Sequence, residues 1–247
     1  MNFSTSANLG DCLWCLQFLR RLGGHHAFYC KSEYMGQLRE LMADTLVEIG
    51  DVNDRPPDSE DCWIANARFE QQGVRYGSTL NIIAFVQQYM NHLGGLAGTP
   101  APVFTDPKQF LFELPRPNFR VPQFDVLVVN AQPTSGQVPE FDNAHLNDLI
   151  ARLAIHYSVI TTNPTTARNA LTYDATILRI AELSCHCSLI IGVATGPIWA
   201  TFNTRNASTP RHILLSPQWL DYGPTVPIAN HANVNSVQAA LERTGWL

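Results

Sequence analysis

The first half of the chain alternates between stretches with helical spacing of apolar residues and short apolar runs. Leu13, Leu16 and Leu19 recur at helical spacing and the glycine pair 23–24 ends the pattern, which predicts a helix over 11–22. Strands and helices alternate after it, and this order predicts a parallel sheet. The predicted helices of this block are 11–22, 32–43 with Ser32 as N-cap, and 78–92; the predicted strands are 26–30, 45–49 and 62–65.

A second block of the same type follows a proline-rich connector. Residues 115–124 contain three prolines and no hydrophobic periodicity, as is typical of a connector. We therefore predict an α/β chain with one parallel-sheet domain at 1–114, a second at 125–247, and a cleft between them. The predicted strands of the second block are 125–130, 158–161, 189–192 and 212–215, and its helices are 143–156, 235–243 and one that Thr172 or Asp174 caps and that ends near 184.

Composition excludes several classes of protein. Of the 247 residues, 45 % are hydrophobic and 15 % are charged, enough to fill a sizeable core. The net charge of -5 and the lack of a basic stripe argue against nucleic acid as a partner. The apolar runs are far shorter than the roughly 20 residues of a membrane span, and residues 1–10 lack the pattern of a signal peptide. This predicts a cytoplasmic protein with at most peripheral membrane contact.

Six cysteines raise the question of a metal or redox site. Cys12 and Cys15 have the Cys-x-x-Cys spacing, and Cys185 and Cys187 flank His186. No second Cys-x-x-Cys completes a four-ligand zinc set, and buried free cysteines behave as small apolar residues. The sequence therefore predicts reduced thiols, no metal and no cofactor.

Candidate ligand-binding residues follow the predicted strands. In open α/β sheets, ligands bind beyond the carboxyl ends of the strands, so the segments there are the ones to inspect. A turn at 194–197 follows the apolar run 189–191 and leads into a predicted helix start, an arrangement that can hold a phosphate or can be only a tight corner. The segments that follow strands are 10–11, Lys31, 66–68, 130–137, 161–163 and 194–197.

Three segments resemble a known family. Residues 9–22 read LGDCLWCLQFLRRL, residues 125–162 begin DVLVVNAQPTSGQ, and residues 174–202 end in SLIIGVATGPIWATF. In order and character they resemble the opening helix, the first donor-domain strand and loop, and the helix-strand-turn of GT-B glycosyltransferases of family 9, the ADP-heptose:lipopolysaccharide heptosyltransferases. The resemblance implies two Rossmann-like domains and an inverting, metal-independent transfer of sugar from a nucleotide-diphospho-sugar to a glycan, glycolipid or protein acceptor.

The resemblance also implies roles for individual residues. Asp11 would be the catalytic base, although an Asp at a helix start also caps free N–H groups, which would lower its pKa. Thr195, Gly196 and Pro197 would meet the donor diphosphate. The other implied donor-binding residues are Asn130, Gln132, Ser135, Gln137, Thr162, Tyr173 and Asp174, and the implied acceptor-binding residues are Asn66 and Arg68.

Three positions depart from the family pattern and leave alternatives open. Ala194 stands where the family has an acidic residue, Trp199 stands where many members have a histidine, and Gln137 lies near the place of the phosphate-binding lysine. A GT-B-like protein that binds a nucleotide or sugar without transferring it is therefore the main alternative. Another two-domain enzyme, such as a sugar-nucleotide epimerase, is a third. The sequence predicts no particular oligomeric state.

Overall fold

The computed structural model of the chain describes residues 1–62, 80–115, 119–133, 138, 141–173, 175–215, 220–221 and 225–247. The chain divides into two compact units. The first contains Met1–Pro115 and Gln218–Thr225, and the second contains Arg116–Pro217 and Val226–Leu247. The return of 218–225 to the first unit is a feature that the hydrophobic pattern did not predict.

A parallel four-stranded sheet forms the centre of the first unit, with strands β1 (Asn2–Ser4), β2 (His26–Cys30), β3 (Val47–Asp51) and β4 (Glu60–Asp61). Their order across the sheet is β3-β2-β1-β4. The prediction of β2 is confirmed residue for residue. The sequence missed β1 because three residues are too few to show a period of two, yet β1 pairs with both β2 and β4.

The α-helices among the described residues of the first unit are α1 (Leu9–Leu22), α2 (Ser32–Leu41) and α3 (Ile82–Ala97). The prediction of Ser32 as an N-cap was wrong, because Lys31 occupies that position and Ser32 is the first helical residue. Helix α3 begins later than predicted because Asn81 is its N-cap, and Asn81 Oδ1 accepts the N–H of Ile83 at 2.9 Å. This is the preferred chemistry of a helix start.

An aromatic cluster holds α1 in the first unit. Phe18 lies 4.4 Å from Tyr89 of α3 between ring centroids, and Trp14 stacks on Phe110 at 5.9 Å. Such ring pairs add to the stabilisation from apolar burial. The helix that carries Asp11 in its first turn is therefore firmly packed along its length.

The second unit is built on a parallel sheet of six strands: β6 (Phe124–Val129), β7 (Val159–Thr161), β8 (Leu171–Thr172), β9 (Cys187–Val193), β10 (Arg211–Leu214) and β12 (Ile228–His231). Their order across the sheet is β12-β10-β9-β6-β7-β8. Counted along this unit, the order is 3-2-1-4-5-6 from its β8 edge, which is the Rossmann order. The sequence missed the short edge strands β8 and β12. In the first unit, β5 (Leu80–Asn81) pairs in parallel with β11 (Leu220–Asp221).

The α-helices among the described residues of the second unit are α4 (Asn143–Leu153), α5 (Ile177–Ser184), α6 (Gly196–Trp199) and α7 (Val234–Thr244). The first three lie between strands, and α7 follows the last strand, β12. The prediction of Thr172 as the cap of α5 was wrong: Thr172 lies in β8, and Thr176 is the N-cap. Asp174, the other predicted cap, lies outside the described residues.

Candidate functional site

The strand order of each unit marks one edge as the place for a ligand. In the second unit the order reverses between β6 and β9, and in the first unit between β1 and β4. Loops leave in opposite directions at such a switch point and open a crevice beyond the carboxyl ends of the strands. In each unit, the chain after these strands contains the residues that the sequence singled out.

Asp11 lies in the first turn of α1, after the loop that leaves β1. Its carboxylate is half-buried, and Oδ2 accepts the backbone N–H of Asn8 at 3.1 Å. Burial raises the pKa of Asp11, against the lowering effects of the Asn8 N–H and the Lys31 ammonium. The sequence-based expectation of a lowered pKa was therefore wrong, because the loss of water around the carboxylate outweighs the helix donors.

Lys31 and Tyr34 accompany Asp11 at this edge of the first sheet. Lys31 follows the carboxyl end of β2, and its Nζ lies 5.7 Å from the centroid of the Tyr34 ring. Burial raises the pKa of the Tyr34 phenol, which also has a hydrogen bond with the backbone of Leu9 at the start of α1. The sequence singled out Lys31 but missed Tyr34, although Tyr34 lies three positions after Lys31, the spacing of neighbours on one helix face.

Asn130 and Thr162 are brought together in the second unit. Asn130 Oδ1 accepts the Asn163 N–H at 2.8 Å and the Thr162 hydroxyl at 3.3 Å, and its Nδ2 donates to the Asn163 carbonyl at 3.0 Å. Both side chains are buried. The amide of Asn130 therefore holds the chain after β6 against the chain after β7.

The turn after β9 begins a helix at Gly196, as predicted. Helix α6 is a single turn of four residues with Pro197 in its first turn. The Thr195 hydroxyl donates to the Val193 carbonyl at 3.3 Å, and Thr195 to Pro197 are half-buried. Ala194, where the family resemblance expects an acid, is only 2 % exposed.

Two apolar side chains fix α6 against the sheet. An ideal Cβ on Gly192 would lie 2.8 Å from Cγ1 of Ile198 and closer still to its Cδ1. Ile198 therefore packs directly on the backbone of β9 at Gly192. Trp199 is buried, and its ring lies 5.2 Å from that of Phe202. A glycine at 192 is thus explained by packing under the turn.

The remaining predicted site residues divide into two sets. Gln132 is exposed after β6, and Tyr173 is half-buried after β8, where its N–H donates to the Thr161 carbonyl at 2.8 Å. These positions stay predictions as ligand contacts. The predicted site residues that lie outside the described residues are Asn66, Arg68, Ser135, Gln137 and Asp174.

A histidine pair that the sequence did not reveal lies in the second sheet. His212 Nδ1 and His231 Nε2 are 2.9 Å apart, and the rings stack with centroids 5.0 Å apart. Burial, His212 and Arg243 lower the pKa of His231 to about 4, and burial and Arg243 lower the pKa of His212. Both rings are therefore neutral at pH 7.

Acidification is expected to destabilise the second unit through His231. Its pKa is about 6.5 when unfolded and about 4 when folded, so protons bind preferentially to the unfolded chain over this interval and stability falls as pH falls. After allowance for residual hydration, we expect a loss of roughly 2 kcal/mol between pH 7 and 4.5. Urea unfolding of the wild type and of His231→Gln at several pH values measures this loss of unfolding free energy. The exposed His156→Gln is the control, and equal pH slopes for all three proteins would contradict the assignment.

Cysteine side chains make hydrogen bonds within the core. Cys15 is buried with its Sγ 3.2 Å from the Tyr89 hydroxyl, and Cys187 donates to the Leu183 carbonyl at 3.2 Å. Burial raises the pKa of Cys187 to about 12 and of Cys30 to about 11, so these thiols are protonated at neutral pH. Within the described ranges, no group of three His, Cys, Asp or Glu side chains could hold a metal ion.

The comparisons with known proteins rest on structure. No family model matches the chain, and no curated protein matches its sequence. The heptosyltransferase WaaC of E. coli, solved with ADP-2-deoxy-2-fluoro heptose, matches at a TM-score of 0.58 over 98 % of this chain and 99 % of that one, with 12 % identity. A family 9 glycosyl transferase from Veillonella parvula matches at 0.50 over 99 % and 88 %, with 10 % identity.

The iron-containing dodecameric glycosyltransferase TibC of enterotoxigenic E. coli also matches, at a TM-score of 0.54 with 16 % identity. The match covers 86 % of this chain and 58 % of TibC, so this chain spans little more than half of that protein.

The chain has the GT-B glycosyltransferase fold. Its two parallel sheets of four and six strands confirm the predicted α/β class. The likeness read from three sequence segments is confirmed at the level of fold. In the part of the chain that the structure describes, no helix is both long enough and apolar enough to cross a membrane.

Proposed function

We propose that this chain is a glycosyltransferase that moves a sugar from a nucleotide-diphospho-sugar to an acceptor hydroxyl, with inversion and without a metal ion. The observation that carries the proposal is Asp11, a half-buried carboxylate at the switch point of the first sheet of a GT-B fold. Residues 1–114 would hold the acceptor and residues 125–247 the donor. The acceptor would be a hydroxyl of a glycan, glycolipid or protein.

Asp11 has the chemistry of a general base in this position. Because burial raises its pKa, the carboxylate is more basic than one in water and accepts the acceptor proton more readily. The acceptor oxygen then attacks the anomeric carbon as the bond to the diphosphate breaks, which inverts the configuration. The Asn8 N–H donates to Oδ2 of the same carboxylate at 3.1 Å and so fixes its orientation.

Lys31 and Tyr34 are proposed to orient the acceptor next to Asp11. The Lys31 ammonium favours the charged form of the Asp11 carboxylate, so it opposes the effect of burial on the pKa of the base. The Tyr34 phenol stays protonated because burial and its hydrogen bond with the Glu33 side chain raise its pKa. Since its one proton is engaged by Glu33, the phenol oxygen would contact an acceptor hydroxyl by accepting a hydrogen bond.

The donor diphosphate is proposed to bind at the switch point of the second sheet. The first turn of α6 supplies the backbone N–H of Gly196, and the absence of a side chain there lets an oxygen approach closely. Asn130 and Thr162 are proposed to act by position, since their hydrogen bonds hold the loops after β6 and β7 together. The exposed Gln132 and the half-buried Tyr173 are proposed to contact the donor directly.

The main alternative is a protein of this fold that binds a nucleotide or sugar without transferring it. Ala194 and Trp199 favour it, because both are buried apolar residues at positions where the family resemblance expects an acid and a histidine. A transferase with these two residues would stabilise the charge of the departing diphosphate through other groups. Both candidate proteins would bind the nucleotide or sugar at the same site, and only the transferase would convert its donor to product.

A thermal-shift screen against ADP-, GDP- and UDP-sugars tests both candidates. A ligand at a hundred times its dissociation constant stabilises by about 2.7 kcal/mol, so the productive donor should raise the melting temperature by roughly 5 °C or more. The matched nucleoside without diphosphate should raise it less. Release of nucleoside diphosphate from the hit, in the presence of acceptor lipids or glycans, supports transfer; binding without release supports the alternative. No shift with any sugar nucleotide would contradict both.

A further inference from the structure

The loop between β1 and α1, residues 5–8, leads into the helical turn that contains Asp11. Thr5 anchors this loop to the first sheet. Its backbone N–H donates to the Tyr29 carbonyl of β2 at 2.9 Å and so continues the parallel pairing of β1 with β2. The residue is 4 % exposed. Thr5 therefore belongs to the packed sheet, and the chain turns towards α1 directly after it.

Two consecutive N–H groups of this loop are held by side-chain oxygens. The Ala7 N–H donates to Thr5 Oγ1 at 3.1 Å, and the N–H of the next residue, Asn8, donates to Asp11 Oδ2 at 3.1 Å. The Asn8 carbonyl accepts the Cys12 N–H at 3.1 Å in the first turn of α1. A threonine hydroxyl that accepts the N–H two residues on defines a local turn. The Thr5 hydroxyl therefore fixes the turn from which the Asn8 N–H points at the Asp11 carboxylate.

The surroundings of Asp11 make this N–H important to the base. Burial raises the pKa of Asp11, and the Asn8 N–H lowers it more than the Lys31 ammonium does. Burial also raises the pKa of the Cys12 and Cys15 thiols, so both stay protonated near pH 7. Among the described residues, the titratable groups that act on Asp11 or on Cys12 beside it are Lys31, Tyr34, Cys15 and Cys30, and Glu33 bonds to Tyr34. Of the groups that favour the ionised base, the Asn8 N–H has the largest effect.

We propose that Thr5 is a positioning residue for sugar transfer, because its hydroxyl holds the turn through which the Asn8 N–H orients the Asp11 carboxylate. This role rests on the proposed function, in which Asp11 removes the acceptor proton. Since Oδ2 accepts the Asn8 N–H, Oδ1 is the oxygen left to take that proton. Without the Thr5 hydroxyl, the Ala7 N–H loses its acceptor, the turn relaxes and the carboxylate loses its fixed direction.

Thr5→Val tests the proposal, since valine keeps the shape of threonine and removes the oxygen that accepts the Ala7 N–H. The measurement is the pH titration of the Asp11 carboxyl carbon by ¹³C NMR, with the signal assigned by its loss in Asp11→Asn. We expect a higher pKa of Asp11 in Thr5→Val than in the wild type, because a weakened Asn8 bond favours the charged form less. Thr5→Ser, which keeps the hydroxyl, should titrate like the wild type.

Thr45→Val is the matched control. Thr45 Oγ1 accepts the Val47 N–H at 3.3 Å in a turn of the same kind at the start of β3. Both valine variants lose one turn hydrogen bond and should lose similar stability, but only Thr5→Val should change the titration of Asp11. In the transfer reaction, Thr5→Val should lower kcat roughly tenfold with KM nearly unchanged, as for a weakened contact made in the transition state. The acid limb of its pH–rate profile should move to higher pH, and Thr5→Ser should restore both.

An Asp11 titration that is the same in Thr5→Val and the wild type would overturn the proposal, and so would an equal change in Thr45→Val. The wild-type chain provides a test that needs no variant of Thr5: the Asn8 amide proton should shift with the same midpoint as the Asp11 carboxyl. An Asn8 amide that does not respond to this titration would overturn the proposal also. These titrations need no substrate. A chain that shows the expected titrations and transfers no sugar would therefore contradict the proposed function and leave the positioning of Asp11 by Thr5 intact.

Discussion

Replacement of Asp11 by Asn is expected to reduce sugar transfer by roughly 10²- to 10⁴-fold, the contribution typical of a positioned general base. Asn keeps the shape of the side chain, and its Oδ1 can still accept the Asn8 N–H that Asp11 accepts at 3.1 Å. It cannot take a proton from the acceptor. Rate measurements with a donor identified in the thermal-shift screen check this, with donor affinity expected to stay within about twofold because Asp11 belongs to the acceptor side.

The stability of Asp11→Asn shows whether a loss of transfer reflects the missing base or an unfolded chain. Since burial raises the pKa of Asp11 in the folded chain, the carboxyl group favours folding when protonated, and this contribution is lost as pH rises through the folded pKa. The variant should therefore be at least as stable as wild type at pH 7. Asp58→Asn, in an exposed loop, is the control for the substitution itself. A fully active Asp11→Asn would end the assignment, and a strong loss of stability would mean that reduced transfer reflects unfolding.

Gly192→Val is expected to destabilise the second unit by roughly 3 kcal/mol or more, because overpacking in a close-packed core costs about 1–3 kcal/mol even for small additions. A Cβ at 192 would overlap Ile198, which is fully buried and cannot move into solvent. The overlap would push α6 away from β9, and with it the Thr195–Pro197 turn. Denaturant unfolding measures the loss, and the sugar-nucleotide thermal shift should shrink in parallel.

Two variants make the explanation for Gly192 specific. Gly36→Ala is the matched control, because a Cβ at 36 in α2 meets no atom within 4 Å, and it should be neutral or stabilising by up to about 1 kcal/mol. Ile198→Ala removes the side chain that the new group would meet. It should recover part of the stability in the double variant Gly192→Val/Ile198→Ala. Equal losses in the presence and absence of Ile198 would contradict direct overlap.

Long periodic elements were predictable from the sequence. The spacing of Leu13, Leu16 and Leu19 predicted α1, and the run 125–130 predicted β6 within one residue. These patterns are strong because burial of one helix face or of a whole strand dictates the residue type at many positions. The three-residue strand β1 gave no such pattern, and its pairing with β2 and β4 depends on partners far away in the chain.

Residue pairs that come from distant positions were not predictable. The hydrogen bonds of Asn130 with Thr162 and Asn163 join positions more than 30 residues apart, and the His212–His231 pair joins two strands that lie 19 residues apart. The sequence indicated Asn130 and Thr162 as candidate ligand contacts, because both are polar residues that follow strands. It did not predict their mutual hydrogen bond, because a polar loop residue that binds a ligand and one that bonds within the protein look the same in sequence.

The sequence by itself determined the α/β class, the parallel sheets, the position of Asp11 at a helix start and the glycine-bearing turn after β9, because local periodicity and turn chemistry encode these features. Only the tertiary structure decided the pKa of Asp11, the packing of Ile198 on Gly192 and the His212–His231 pair. Each depends on how much water and which atoms surround a group once distant segments have packed. Burial is a property of the folded chain, so no local pattern specifies it.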